Sequence, residues 1–145
     1  MPLPDETPLD NAIPGVAQHN REYRESNGAE GHDWNGATTL LLTTMGRSSG
    51  RLRQNPLIYV EDGGAYHVVA SFGGKPDNPD WYENLAAEPE VRIQVGDQVM
   101  DATARTLSAA EKAAVWDKCV DMWPDYDEYQ KKTDRDFPVV AITPS

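Results

Sequence analysis

The run at residues 38–45, TTLLLTTM, is the feature that most limits how this chain can fold. Threonine and leucine at this density are typical of a β-strand, and three successive leucines indicate that both faces of the strand are buried. A second strand-like run follows at residues 53–61. The short connection between the two runs therefore predicts an apolar β-hairpin.

The connection of this hairpin is cationic. Residues 46–53 read GRSSGRLR and contain three arginines, and Asp33 is the only acidic residue between positions 31 and 61. Backbone N–H groups freed by glycine and the guanidinium fork both suit phosphate or carboxylate oxygens. The segment predicts either an anion-binding loop or a solvated turn with ordinary surface arginines.

The rest of the chain predicts four more strands and three helices. After a tight turn at 62–64, the strands are expected at 65–72, 91–95, 98–105 and 137–143, and the helices at 79–87, from Ser108 to before Pro124, and at 125–133. Asn78 is expected to cap the first helix, and Ser108 with Glu111 matches a capping box for the second. Six strands in hairpin-like succession, without repeated β-α-β alternation, predict an antiparallel barrel of the α+β class with flanking helices.

The amino-terminal part differs in composition from the rest. Residues 1–36 are polar, and we expect a mobile extension or lid there, with a short helix between Leu9 and Glu25 as the alternative. Residues 37–145 would then form a single domain, and a chain of 145 residues is long enough to bury a real core.

Charge and cysteine content narrow the classes of partner. The formal net charge of −11 argues against nucleic acid or an anionic membrane as the main partner, because both need an extended basic face. The single cysteine, Cys119, and an amino terminus without an apolar segment predict a cytoplasmic protein with at most peripheral membrane contact.

Side chains that carry chemistry are few. No metal site is apparent, and His19, His32 and His67 lie so far apart that we interpret them as structural or surface residues. Cys119 is interpreted as a core residue of its helix. Trp123, Tyr126 and Tyr129 follow one another at intervals of three and predict one helix face, which is either a core-packing stripe or an aromatic wall over a flat ligand.

Five segments in order resemble the deazaflavin (F420)-dependent nitroreductase family. They are residues 43–57 (TTMGRSSGRLRQNPL), 69–74 (VASFGG), 79–85 (PDWYENL), 88–91 (EPEV), and 126–130 with 133–135 (YDEYQ and TDR). The resemblance covers about residues 38–145. It implies a split β-barrel related to flavin-reductase folds that binds reduced coenzyme F420, whose deazaflavin ring is flat and whose phosphate and oligoglutamyl tail are anionic.

The resemblance also implies roles for individual residues. The phosphate and tail would be held by Arg47, Ser48 and Ser49. Further cofactor contacts would come from Arg53, Gln54, Asn55, Pro56, Leu57, Ile58, Val69, Ala70, Ser71, Phe72, Asp80, Trp81, Tyr82, Glu83, Asn84 and Tyr126. The residues facing the substrate and serving catalysis would be Ser71, Trp123, Tyr126 and Tyr129.

The function implied is hydride transfer from the reduced deazaflavin to a planar, electron-poor acceptor, with quinones as the first choice and nitroaromatics as a second class. Ser71 or Tyr126 would donate a hydrogen bond to the developing oxyanion. FMN in the same barrel and an F420 carrier without turnover are the alternatives. Some family members have lysine where this chain has Ser48 and Phe72, which predicts a weaker hold on the polyglutamyl tail.

Overall fold

The structure is a computed structural model that describes residues 3–10 and 13–145. Over these residues the chain forms eight strands, four α-helices and one short 3-10 turn at residues 72–74. In chain order the helices and strands are α1 (Pro14–Glu25), β1 (Asp33–Trp34), β2 (Ala37–Met45), β3 (Leu52–Ile58), β4 (Val60–Asp62), β5 (Ala65–Val69), α2 (Asp80–Ala87), β6 (Glu90–Val95), β7 (Gln98–Thr106), α3 (Ala109–Met122), α4 (Asp125–Gln130) and β8 (Val139–Pro144).

The strands form one antiparallel sheet that curves into a barrel. Its path runs β4-β5-β8-β7-β6-β2, and β3 pairs with β2 on the other side. Only Tyr59 separates β3 from β4, so a single bent segment connects the strands at the two ends of the path. The predicted antiparallel barrel of the α+β class is confirmed.

Two details of the strand prediction are wrong. The run at 53–61 is two strands, because the Tyr59 N–H still donates to the carbonyl of Thr38 while the next residues pair with β5. The strand expected to reach Phe72 ends at Val69, and Phe72 itself has a φ of +49°, which extended backbone cannot adopt. The two-residue strand β1 is too short to leave a periodic pattern in the sequence.

The barrel interior and the outer helices have separate apolar cores. Leu40, Leu41 and Leu42 are all fully buried, which confirms that both faces of β2 are covered. A second cluster under α3 and α4 includes Cys119, so its interpretation as a core residue is confirmed. Burial raises the pKa of the Cys119 thiol to about 11, which keeps this sulfur protonated and unreactive at neutral pH.

Of the two helix-cap predictions, one is confirmed and one is wrong. The capping box of α3 is confirmed, since Ser108 Oγ accepts from the Glu111 N–H at 3.2 Å and the Glu111 carboxylate accepts from the Ser108 N–H at 2.9 Å. The prediction for Asn78 is wrong, because Pro79 occupies the N-cap position of α2. Asn78 Oδ1 instead accepts a hydrogen bond from Arg135 at 2.6 Å.

The amino-terminal segment lies against β3. The Leu9 N–H donates to the Leu52 carbonyl at 2.8 Å, and the Gln54 N–H donates to the Leu9 carbonyl at 3.1 Å. Helix α1 is tied to the same strand by Arg24, which binds both the Asp10 carboxylate and the Gln54 side chain. Residues 1, 2, 11 and 12 of the predicted extension lie outside the described residues.

Candidate active site

A continuous groove runs between α1, the β2–β3 turn, the loop after β5 and helix α4. One part is a cleft of about 680 Å³ that we call the polar cleft. The other is a cavity of about 570 Å³ that we call the aromatic pocket. The two share one set of wall residues, which are Ile13, Val16, Pro56, Leu57, Phe72, Pro79 and Trp81. A long ligand with one polar and one flat apolar end therefore has room in both.

The polar cleft is organised around Arg47. The Arg47 N–H and its guanidinium both donate to Asn84 Oδ1, at 3.2 and 2.8 Å, and the guanidinium also pairs with the Asp80 carboxylate at 3.2 Å. These contacts fasten the β2–β3 turn to the first turns of α2 and fix the direction of the guanidinium. Ser48 and Ser49 line the cleft beside it and bring two exposed hydroxyls.

The three arginines of this turn do not have equivalent positions. Arg53 lines the polar cleft, and it makes no hydrogen bond or ion pair with another described residue through its guanidinium. Arg51 is equally exposed but does not line the groove. The cation available to an anionic ligand at this end is therefore Arg53, together with Arg47, whose charge is partly balanced by Asp80.

The aromatic pocket is walled by indole and phenol rings. The rings of Trp34 and Trp123 lie 5.1 Å apart at 33°, and those of Tyr126 and Tyr129 lie 6.4 Å apart at 70°. The prediction that Trp123, Tyr126 and Tyr129 share one helix face is wrong, because Trp123 is the C-cap residue after α3 and the two tyrosines belong to α4. All three nevertheless line the same pocket.

Two hydroxyl groups in the pocket are suited to contact a polar atom of a ligand. Ser71 and Tyr126 are both buried pocket-wall residues, and neither hydroxyl bonds to another described residue. Burial raises the pKa of the Tyr126 phenol well above its usual value, so this group keeps its proton at neutral pH and can donate a hydrogen bond. Tyr129 accepts a long hydrogen bond from the Trp123 indole at 3.5 Å.

Most of the residues predicted for the site line the groove. Three do not, and their contacts explain why. Tyr82 directs its hydroxyl to Thr106 at 3.0 Å, Glu83 accepts from Asn78 at 3.2 Å, and Ala70 is fully buried. The lining residues are Arg47, Ser48, Ser49, Arg53, Gln54, Asn55, Pro56, Leu57, Ile58, Val69, Ser71, Phe72, Asp80, Trp81, Asn84, Trp123, Tyr126 and Tyr129.

Sequence reasoning missed the contribution of the amino-terminal segment. Ile13, Val16, His19 and Trp34 all line the aromatic pocket. The signal that could have found them is weak: two isolated apolar residues and one tryptophan in a polar stretch.

A second omission is Arg135, which shapes the loop that follows β5. Its guanidinium donates to the carbonyls of Ala70 and Ser71 at 3.0 and 2.8 Å, and its Nε donates to the carbonyl of Lys75 at 3.1 Å. The same group lies over the Phe137 ring at 4.8 Å. Arg135 thereby fixes the backbone that presents Ser71 to the pocket.

Comparisons with known proteins agree on one family. The profile of the F420H(2)-dependent quinone reductase family matches residues 16–144. An F420H(2)-dependent quinone reductase of Mycobacterium tuberculosis is 40% identical over 129 residues, which are 86% of this chain and 87% of that protein. A solved F420-H2 dependent reductase is 47% identical with a TM-score of 0.66, over 72% of this chain and 92% of the other. A structure described as a domain-swapped dimer is 41% identical with a TM-score of 0.70, over 86% and 93%.

The described part of the chain has neither a membrane-spanning helix nor a cluster of metal ligands. None of its helices has the length and apolar character needed to cross a membrane. No three of its histidine, cysteine, aspartate or glutamate side chains come together as metal ligands would.

Proposed function

The chain belongs to the F420H(2)-dependent quinone reductase family, and from this premise we propose that it reduces a quinone at the expense of reduced coenzyme F420. The observation that carries the proposal is the division of one groove into a cleft lined by arginine and serine side chains and an aromatic pocket. F420 has the same division, with an anionic phosphate and glutamyl tail at one end and a flat ring at the other.

The residues of the polar cleft fit the anionic end of the cofactor. Arg53 has no acidic partner among the described residues, and Arg47 is held in a fixed direction by Asn84 and Asp80. A guanidinium and a hydroxyl both donate to phosphate or carboxylate oxygens. We assign the phosphate and the tail to Arg47, Ser48, Ser49 and Arg53 on this ground.

The shared walls of the groove fit the ring. Pro56, Leu57 and Trp81 are apolar or aromatic and line both parts, so a flat ring resting on them lies at the junction. When bound, the reduced cofactor supplies a hydride, which carries the two electrons needed for the reduction together with one hydrogen nucleus. The protein's own task is to hold the acceptor over this junction and to exclude water from it.

The acceptor is assigned to the aromatic pocket. Trp123, Tyr126 and Tyr129 give a planar molecule rings to pack against, and the Ser71 and Tyr126 hydroxyls donate to the oxygen on which negative charge develops. These features suit a quinone, which is flat and carries two carbonyl oxygens. Nitroaromatics share the flatness and the polar oxygens, and we propose them as a second class of acceptor.

The test is a binding and turnover experiment on the purified protein. We expect a colourless protein that changes the fluorescence of F420 on titration, and that oxidises reduced F420 when menadione is added. A yellow protein with bound FMN would show that the cofactor is FMN and not F420. F420 binding without menadione or nitrobenzene turnover would support a carrier. The cytoplasmic location stays a prediction, which cell fractionation tests.

A further inference from the structure

His19 occupies an unexpected position. It lines the aromatic pocket from helix α1, as the phenols of α4 also do, although a single histidine in a polar segment carries no sequence signal of its own. The described residues that line this pocket include no carboxylate, lysine or arginine. His19 is the one imidazole among the described residues of that wall, and imidazole is the side chain most often used to pass a proton to a bound molecule.

The hydrogen-bond partner of His19 determines which ring nitrogen is available. Nε2 lies 2.8 Å from the Gly31 carbonyl oxygen. A carbonyl only accepts, so Nε2 carries a hydrogen in both the neutral and the charged ring. Thr39 Oγ1 donates to the same carbonyl at 2.6 Å, which holds that oxygen in place. Nδ1 is left as the nitrogen that gains and loses the proton.

Packing at Gly31 holds the ring in this orientation. A Cβ at position 31 would lie 3.0 Å from His19 Cδ2 and 3.2 Å from Nε2, so that edge of the imidazole rests directly on the glycine backbone. Gly31 has a φ of +94°, which a larger residue would adopt only with strain. The edge that carries Nδ1 and Cε1 is consequently turned away from Gly31.

We infer that His19 is the acid that gives the proton to the reduced acceptor, an inference that rests on the proposed quinone reduction. The quinone gains a hydride and becomes an anion with its charge on oxygen. The Nδ1–H bond of the imidazolium then breaks, its proton bonds to that oxygen, and the electron pair stays on Nδ1. The products are a neutral hydroquinone and a neutral imidazole, which solvent protonates again because His19 is only half-buried.

The groups around His19 are compatible with this cycle. Tyr23 lies on the same helix with its ring 6.5 Å away, and Tyr126 and Tyr129 line the same pocket from α4. Burial raises the pKa of the Tyr126 phenol, so this tyrosine is a weaker acid than an ordinary phenol and is suited to orient the oxygen through a hydrogen bond. The Glu22 carboxylate on α1 accepts a hydrogen bond from Gln18 at 2.8 Å.

The test compares His19→Gln with His32→Gln. Glutamine keeps an N–H donor near the Gly31 carbonyl but cannot act as an acid. His32 serves as the control, because its Nε2 lies 3.0 Å from the Tyr59 hydroxyl and the residue does not line the groove. With menadione and saturating reduced F420, we expect His19→Gln to lower kcat about 10²-fold, which is the lower end of the range for general acid catalysis. We also expect the kcat of His19→Gln to lack the decline at high pH that the native protein should show. His32→Gln is expected to keep the native rate and pH profile.

A binding measurement provides a readout that is independent of turnover. The anion of 2-hydroxy-1,4-naphthoquinone resembles the charged acceptor, and its affinity for protein with oxidised F420 is measured by calorimetry in the pH range where it stays ionised. The proposal requires that binding of this anion takes up one proton, so the affinity of the native protein should rise as the pH is lowered, by at most about tenfold per pH unit. His19→Gln should show no such slope.

The outcomes separate this inference from the function on which it rests. Native-like kcat and pH dependence in His19→Gln, with F420 affinity unchanged, would overturn the role of His19 and leave quinone reduction intact. An affinity of the native protein for this anion that does not change with pH would also overturn the role of His19. This result needs no variant, so it does not depend on whether His19→Gln folds. Absence of quinone turnover in the native protein would instead contradict the proposed function.

Discussion

Arg53→Gln provides the sharpest test of the polar cleft. Arg53 is exposed, lines the cleft and has no acidic partner among the described residues. Its guanidinium can therefore contact an anionic ligand without first breaking an ion pair. Arg51 is an ideal control, because it is an exposed arginine of the same turn that does not line the groove.

The size of the effect follows from the exposure of the side chain. Hydrogen bonds to a charged group contribute about 1.5–3 kcal/mol when they are shielded, and an exposed ion pair about 1 kcal/mol or less. A half-covered guanidinium over a phosphate should lie between these values, at about 1–2 kcal/mol. We expect Arg53→Gln to raise the Kd for F420 about 5- to 30-fold, and Arg51→Gln to raise it less than about twofold.

The assay is fluorescence titration of F420 at two ionic strengths. The Debye length is about 10 Å at 0.1 M salt and about 3 Å at 1 M, so most of the difference between native protein and Arg53→Gln should disappear at high salt. Equal losses for Arg51→Gln and Arg53→Gln would refute the argument, because only one of these residues lines the cleft. A loss for Arg53→Gln that salt does not change would refute the electrostatic reason.

Three other substitutions test the pocket and its support. Tyr126→Phe should lower kcat about 10²-fold with F420 affinity unchanged, since it removes one donor to the acceptor oxygen; stopped-flow fluorescence measures both. Tyr23→Phe should lower the free energy of unfolding by about 1–3 kcal/mol in urea titrations, because its fully buried hydroxyl donates to the Thr39 carbonyl at 2.9 Å. Arg24 lowers the pKa of the Asp10 carboxyl, so this ion pair stabilises the fold above the ordinary pKa of 3.8 and is lost as the pH falls through the lowered value. Asp10→Asn should therefore lower the Tm at pH 6 but not at pH 2, as measured by calorimetry.

Local signals made the barrel largely predictable from sequence. The apolar run of β2, the turn at residues 62–64 and the capping box at Ser108 depend on neighbours in the chain, so composition and spacing reveal them. Gly63 and Gly64 both have positive φ, as a two-residue hairpin turn of this kind requires. The same locality holds for the hairpins β2–β3, β4–β5 and β6–β7, whereas the pairings of β2 with β6 and of β5 with β8 join strands that are distant in the sequence.

Features that depend on distant residues escaped prediction. Asn78 looks like a helix cap in sequence, but Arg135 lies 57 positions later and takes its side-chain oxygen. The bend at Tyr59 exists because the segment changes partner from β2 to β5, which no local pattern encodes. His19 enters the pocket only because α1 packs on β3. The candidate site was thus predictable where the barrel strands form it and not where the amino-terminal segment completes it.

The negative net charge of the protein is compatible with an anion-binding cleft because the net charge and the cleft arginines act over different distances. At physiological ionic strength the Debye length is about 8 Å, so most of the formal net charge of −11 is screened at any one point on the surface. Inside the cleft, Asp80 balances part of the charge on Arg47, while Arg53 has no such partner among the described residues. Contacts within a few ångströms then decide how long an anionic ligand stays, whereas the overall negative field slows its approach. We therefore expect F420 to bind more tightly than a simple anion such as inorganic phosphate, because only F420 can also contact the aromatic pocket; competition titrations that follow F420 fluorescence test this.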